Sequence, residues 1–394
     1  MIPFSANSTA VYYSVQDSCG EINANPAFTK MRFTGGVPSI ARDTLTSSEL
    51  DGTPEITSVR LGSFNVSNEA GVELSYGNYD DLLESAMQSA WVAGTKSADQ
   101  TVTIDASAKT AKIDGVDLTS SISVNDLIKL PGLTGYNSEP RLVTSITYTD
   151  PDTIITFGSS VAENSQLGIS GLADETGTSK VVTNDTLSVG NVRKYLTILV
   201  EFSDSDGNKY YDISIDNEAT GFNFSVSVNA LVTGSISFIG KTYASNTTLP
   251  AGATFVNPND NKPFTGIDGC IAKDGGRLML STSAEMTLDR GATPTFELCS
   301  KYMSHVTYGK ATNSVSISTF FYDYNLQNQF DGEVNGDYTI KCSLDSKAMA
   351  FNYPNAIITD LPRDVGEGDI TQTATLQPYK PASAASSLII RRIE

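Results

Sequence analysis

Phe222-Asn223-Phe224-Ser225-Val226-Ser227-Val228, followed after three residues by Val232-Thr233-Gly234-Ser235-Ile236-Ser237-Phe238-Ile239, decides the fold class. In both runs Ser, Thr or Asn alternates with Val, Ile or Phe, so an extended chain shows one hydroxyl-rich face and one apolar face. Such strands want a core on one side and water on the other. The same alternation recurs at residues 195–202 and 210–215, separated by the hairpin turn Asp204-Ser205-Asp206-Gly207-Asn208, and again at 315–321, 338–344 and 349–353. Residues 55–73 carry it as a long two-stranded element, with Ile56, Val59, Leu61, Phe64, Val66 and Val72 apolar and a turn at Asn68-Glu69-Ala70-Gly71. A mainly β chain is expected.

The rest of the composition agrees. At 394 residues with 39% apolar side chains the chain is long enough for two or three cored domains, and only 18% of its residues are charged. The formal net charge of −19 is spread along the chain, −7 over residues 1–95, −6 over 96–188 and −6 over 189–394. That argues against nucleic-acid binding by phosphate neutralisation. Met1-Ile2-Pro3-Phe4-Ser5 opens no basic, apolar leader, and no run of 18 apolar residues occurs, so neither a signal peptide nor a membrane helix is expected. Cys19, Cys270, Cys299 and Cys342 lie far apart without CxxC spacing and read as reduced, mostly buried thiols.

One helix is clear. After Asn78 as N-cap come Asp80 and Asp81, placed to complement the helix dipole, and Tyr79, Leu82, Leu83, Ala86, Met87, Ala90 and Trp91 fall on one face. A weaker helix is predicted over 294–304, with Pro294 at its first position and Leu298, Cys299, Tyr302 and Met303 apolar. Residues 98–185 have their own character, with short strands at 101–104, 109–113, 127–130, 141–148 and 153–157 separated by Asp114-Gly115, Pro131-Gly132 and Asp150-Pro151-Asp152, and read as an inserted small β-barrel domain. The order hairpin, helix, strand, Gly-Tyr turn and paired strands occurs twice. Gly207-Asn208-Lys209-Tyr210 lies 115 residues past Val92 and Gly336-Asp337-Tyr338 lies 32 past Ser304; the excess of 83 is close to the 88 residues of 98–185. An internal duplication is inferred.

No catalytic, cofactor-binding or metal residues emerge. His305 is the single histidine, which removes Ser-His-Asp, Cys-His and multi-His metal sites together. GxxxxGK[ST], HExxH, GxSxG and a strand-linked GxGxxG are absent. Asp204-Ser205-Asp206-Gly207-Asn208 lacks the distal Glu of a calcium loop. Asp80, Asp81 and Glu84 read as first-turn helix carboxylates. A glycan hydrolase built on a carboxylate pair has no specific support, because 45 acids always allow some such pair. The expectation is no enzyme and no cofactor, but a building component whose long strand edges pair with other copies.

Two segments taken together resemble the tail tube proteins, or major tail proteins, of long, non-contractile-tailed bacteriophages: Ser75-Tyr76-Gly77-Asn78-Tyr79-Asp80-Asp81-Leu82-Leu83-Glu84-Ser85-Ala86-Met87, and Asn229-Ala230-Leu231-Val232-Thr233-Gly234-Ser235-Ile236-Ser237-Phe238-Ile239-Gly240-Lys241. The likeness covers about residues 37–95 and 189–394. It implies a tail-tube β-sandwich flanked by a short helix, assembling into rings whose inner strands form one oligomeric β-barrel lumen. The expected organisation is an extended N-terminal arm at 1–35, a first tube-fold copy at 36–97 and 186–250, the insert at 98–185, a second copy at 251–377 and a C-terminal arm at 378–394. The arm and the strand at 387–393 are expected to make ring-to-ring contacts, so that deleting residues 1–20 spares folding. The implied partners are the chain itself, as a trimer with pseudo-sixfold symmetry or a hexamer, the tail initiator and terminator proteins, a tape measure protein in the lumen, and DNA in transient non-specific passage. The implied location is the virion tail, after synthesis in the host bacterial cytoplasm, with no membrane. The other reading is a β-rich adhesion or receptor-binding module.

Overall fold

The computed structural model describes residues 6–49, 52, 55–158, 172–246, 248–382 and 385–394. The fold is mainly β, with 53% of residues in strands and two α-helices among the described residues. The principal strands are β1 (Thr9–Val15), β2 (Phe33–Gly35), β3 (Ser39–Thr46), β4 (Val59–Glu73), β5 (Leu196–Ser203), β6 (Lys209–Ser227), β7 (Thr233–Gly240) and β8 (Thr242–Asn246), with helix α1 (Asp80–Met87) after β4. A second series follows: β9 (Gly269–Lys273), β10 (Ser281–Asp289), β11 (Thr312–Phe320), helix α2 (Asn325–Asp331), β12 (Gly336–Leu344), β13 (Lys347–Asp360), β14 (Arg363–Asp364), β15 (Thr371–Pro378) and β16 (Ile389–Ile393).

The two series pair in the same order. In the first, the N-terminal half of β6 lies between β5 and β8, with β1 beyond β5, and its C-terminal half runs beside β7, then β4, then β2 and β3. In the second, β13 lies between β12 and β16, with β9 beyond β12, and its end with β14 runs beside β15, then β11, then β10. One long strand in each repeat thus passes from one sheet to the other. The register shifts coincide too: Phe33/Gly35 with Ser281/Ser283, Leu196/Ile198 with Gly336/Tyr338, and Ala219/Gly221 with Ile358/Asp360. A bulge moves every later side chain to the other face, so three matching bulges specify the repeat more tightly than residue identity does.

The core follows from the alternation. Phe222, Phe224, Val226, Ile236 and Phe238 of the first repeat are buried in one cluster with Ile317, Phe351, Ile358 and Leu376 of the second, while α1 contributes Leu82, Leu83, Ala86 and Met87. The helix starts later than Asn78, whose side chain instead bonds Ser75 Oγ and accepts from the Asn259 N–H. It stops at Gln88 in a left-handed conformation, which puts Ala90 and Trp91 outside it.

Residues 100–183 form a separate seven-stranded sheet in the order Glu175–Ser179, Gln100–Asp105, Thr110–Ile113, Asp152–Phe157, Arg141–Thr149, Leu127–Lys129, Val182–Thr183, around Val102, Ile104, Ile113, Val143, Ile155 and Phe157. It departs after α1 and returns before β5, and it is fastened to the second repeat. Asp126 ion-pairs with Arg391 at 3.2 Å, Asn125 bonds Asp337, and the buried Lys341 Nζ donates to the Pro140 carbonyl at 2.6 Å.

Three expectations are corrected. Residues 294–304 form no helix: Thr293–Thr295 pairs with His305–Thr307 as a hairpin, and Leu298, 95% exposed, contributes no apolar face. The second helix is α2, whose turn sequence lacks a strong apolar period. The repeat therefore aligns differently from the sequence reading, with Gly336 matching Leu196 rather than Gly207. Neither terminus is a free arm within the described residues. β1 pairs along its whole length with β5 and buries Val11 and Tyr13, and β16 has both edges filled, by β13 and by Asp185–Ser188. The reading fell short there because a strand of seven residues carries too few periods to show which sheet it joins. Residues 1–5 lie outside the described set. Finally, Cys270 and Cys342 are buried but Cys19 and Cys299 are exposed.

Two outcomes follow. Deleting residues 1–20 strips a core strand, so the truncated chain loses its near-ultraviolet circular dichroism; a native spectrum would contradict the placement of β1. Burial pushes the Lys341 amine down to about 8, so between pH 8 and its unfolded value of 10.5 the unfolded chain binds the extra proton and stability rises with pH. The slope is at most about 1.4 kcal/mol per pH unit. The urea midpoint of wild type should gain on that of Lys341→Met over that window, the difference separating this lysine from the buried tyrosines and Cys342, whose raised values act in the opposite sense in both proteins.

Candidate assembly surface

The repeats join to make one continuous antiparallel strip. Its order is β3, β4, β7, β6, β10, β11, β15 and then β13 with β14, and the central joint is β6 against β10, where the first repeat meets the second. The main sheet curves as a half-barrel. Across the joint Gly221 stands opposite Asp289, Phe222 opposite Leu288, Asn223 opposite Thr287 and Ser225 opposite Glu285.

One face of this strip packs on the core; the other is open. Successive rows of the open face read Glu69, Ser237, Gly221, Asp289, Thr312; then Gly71, Ser235, Asn223, Thr287, Ser314; then Glu73, Thr233, Ser225, Glu285, Ser316, Thr375; then Ser227, Ser283, Ser318, Thr373. These rows hold four carboxylates, Glu69, Glu73, Glu285 and Asp289, and no Lys or Arg. The hydroxyl face that the sequence predicts for 222–228 and 232–239 is thus the exposed one, and it runs on into the second repeat.

The polar contacts behind the joint explain its fixed geometry. Arg290 reaches back to Gln88 Oε1 and to the Gly190 carbonyl at 2.9 Å. Tyr308 donates to Glu218 Oε2 at 3.0 Å, and Arg193 lies 3.6 Å from Glu218 Oε1 while its guanidinium sits 5.1 Å from the Tyr308 ring centre. Burial raises the Glu218 carboxyl above its usual range, against the pull of Arg193. The loop between β10 and β11 is thereby fixed to the first repeat.

The strip has two ends without a neighbour among the described residues. At one, β3 pairs only with β4, and all eight of its residues are exposed. At the other, β14 and the end of β13 pair only with β15. The Thr373 N–H donates to the Pro362 carbonyl, so Pro362 faces β15 and its neighbours Leu361 and Arg363 turn their backbone groups outward. In the lone chain the Leu361 N–H is capped by Asp360 Oδ1 at 3.0 Å. Proline and charge at both ends, Pro38, Arg42, Pro362, Arg363 and Asp364, suit edges that must not pair at random.

The carboxylates singled out from sequence serve structure. Lys194 bridges Asp81 and Glu84, Arg392 pairs with Asp80 and Asp185, and Glu84 accepts the Trp91 N–H at 2.8 Å. A cleft of about 520 Å³ beside them is lined by Tyr76, Asp80, Asp185, Asn259, Lys347 and Arg392. Its arginine is already ion-paired, and burial lifts the Asp80 carboxyl against the pull of that same Arg392. Asp204 accepts from the N–H groups of Asp206 and Asn208, closing a turn. Among the described residues no group of three or more His, Cys, Asp or Glu is placed to hold a metal, and no helix is long and apolar enough to cross a membrane. What sequence reading missed is the pair of free edges, whose signal was Pro38 and Pro362 inside otherwise extended stretches.

Amide exchange checks the two edges. In the unassembled chain Ile40 and Leu361 should exchange at least about a hundredfold faster than their counterparts Leu288 and Phe222 at the internal joint. Equal protection would mean that the edges are covered within the molecule.

A family model described as phage tail tube protein matches residues 6–378, nearly the whole chain. No curated protein matches it.

Proposed function

The chain belongs to the phage tail tube protein family, and from that premise we propose that three copies close a ring with six similar repeats around its axis, and that stacked rings form the conduit for genomic DNA during ejection. As a member of that family it is a structural protein of the virion tail that assembles with itself into a tube. The observation that carries the finer reading is the strip itself: two repeats already joined edge to edge, curved, and open at both ends.

A heterologous head-to-tail contact generates a ring when its rotation closes. The internal joint supplies one such rotation, and its repetition between chains would complete the barrel. Closure removes the exposed edges, replacing contacts to water with backbone hydrogen bonds. In this reading the open face lines the bore. Duplex DNA carries about one negative charge per 1.7 Å of its axis, so hydroxyls and carboxylates offer it nothing to bind. A wall of that chemistry lets the polyanion slide. The same bore would hold a tape measure protein before ejection, with initiator and terminator proteins at the two ends. Assembly in the cytoplasm of the host cell and a non-contractile tail complete the proposal.

Negative-stain microscopy of the purified protein, alone and with a tail initiator complex, should show rings or tubes with six lobes per ring. Native mass spectrometry of a single ring should give three times the chain mass of 42.0 kDa. Persistent monomers under every salt condition would sink the reading, and a ring of six chains would sink the trimer.

A further inference from the structure

We infer that the seam between chains repeats the internal joint residue for residue, so that Asp360 stands opposite Ala41 of the next copy, Leu361 opposite Ile40, Pro362 opposite Ser39, Arg363 opposite Pro38 and Asp364 opposite Val37. This rests on the ring reading and adds to it the partner strand and its register.

The register follows from the two repeats. Matching bulges place Ser281 and Ser283 of β10 at Phe33 and Gly35, and Ala219 and Gly221 of β6 at Ile358 and Asp360. The equivalence persists beyond β13: Ser225 pairs with Thr233 in the first repeat and Asp364 with Thr371 in the second. Carrying the observed pairs Gly221 with Asp289 through Ser225 with Glu285 across these equivalences yields the pairs named above.

Chemistry at the two edges is compatible with that register. Leu361 and Ile40 take the places of Phe222 and Leu288, which pack into the core at the internal joint. Asp360 and Asp364 meet Ala41 and Val37, so no like charges face each other across the seam. Leu361 and Arg363 turn their backbone groups outward, as the seam requires, and Pro362 faces away from it; Pro38 opposite Arg363 has no N–H, so the seam makes one backbone hydrogen bond fewer than the internal joint.

A second contact agrees. The loop between β10 and β11 covers the end of α1 through Arg290 and Gln88. Its counterpart, the β3–β4 hairpin, is held at Phe64, whose N–H donates to the Lys301 carbonyl and whose ring stacks on Tyr302, but Leu45 and Leu61 on it are each 59% exposed, while Val334 past the end of α2 is 55% exposed. Each is uncovered where its equivalent inside the chain is covered, and the partner that fits both is a second copy of this chain.

The register can be read with cysteines. In the full chain carrying Cys19→Ser and Cys299→Ser, the pair Ala41→Cys and Asp360→Cys occupies a non-hydrogen-bonded site whose Cα separation of about 4.5 Å suits a disulfide. The control pair Ala41→Cys and Leu361→Cys places its side chains on opposite faces. Mild oxidation should give covalent trimer as the largest linked species for the first pair and none for the control, with rings in both samples by microscopy. Rings that link through the control pair, or through neither, would overturn the register and leave the ring intact. Absence of both rings and links would instead overturn the ring reading on which the register stands.

Discussion

Backbone N–H and C=O groups along a strand margin must find partners, and in this chain that requirement organises nearly everything else. In the second repeat Asp185–Ser188 fills the margin of β16. On the strip that joins the two repeats, two margins are left among the described residues, at its two ends. A lone molecule tolerates them only because they are short, charged and broken by proline, which are the features that keep such edges from pairing at random.

The strip also dictates where chemistry is allowed. One face is committed to the core through Phe222, Phe224, Ile236 and Met286, and the other is a broad surface that continues across both repeats. Its side chains are short hydroxyls with scattered carboxylates, and the reactive groups elsewhere are engaged in holding loops. Lys194 and Arg392 neutralise the acids around α1, and Arg193 and Tyr308 hold Glu218. Such a molecule is furnished for contact with copies of itself.

Much of this was legible in the sequence wherever a period ran long enough. The alternation at 222–228 and 232–239 gave both the strands and their wetted face, because four successive side chains on one side leave little ambiguity. The helix at 80–87 was legible for the same reason, although its cap was not: the Asn78 side chain bonds Ser75 and accepts from the Asn259 N–H, a donor that only the fold brings near. The 294–304 stretch misled, since two apolar pairs at helical spacing cannot reveal that Leu298 points into water. The true alignment of the repeats was hidden because it lies in bulges, and a bulge changes pairing without leaving a residue type behind. β1 and β16 were illegible as core strands because their membership depends on partners nearly two hundred residues away.

In the proposed ring the covalent connection from β8 to β9 would make one of every two joints internal to a polypeptide. Bringing separate bodies together costs translational and rotational freedom at each association, of the order of 4 kcal/mol or more. Six independent units joining into one closed circle would incur that loss five times, whereas three tethered pairs would incur it twice. In that ring, fusing the repeats would lower the concentration at which closed circles become favourable, and because the seven-stranded insert lies within the first repeat, alternate units would be differently dressed.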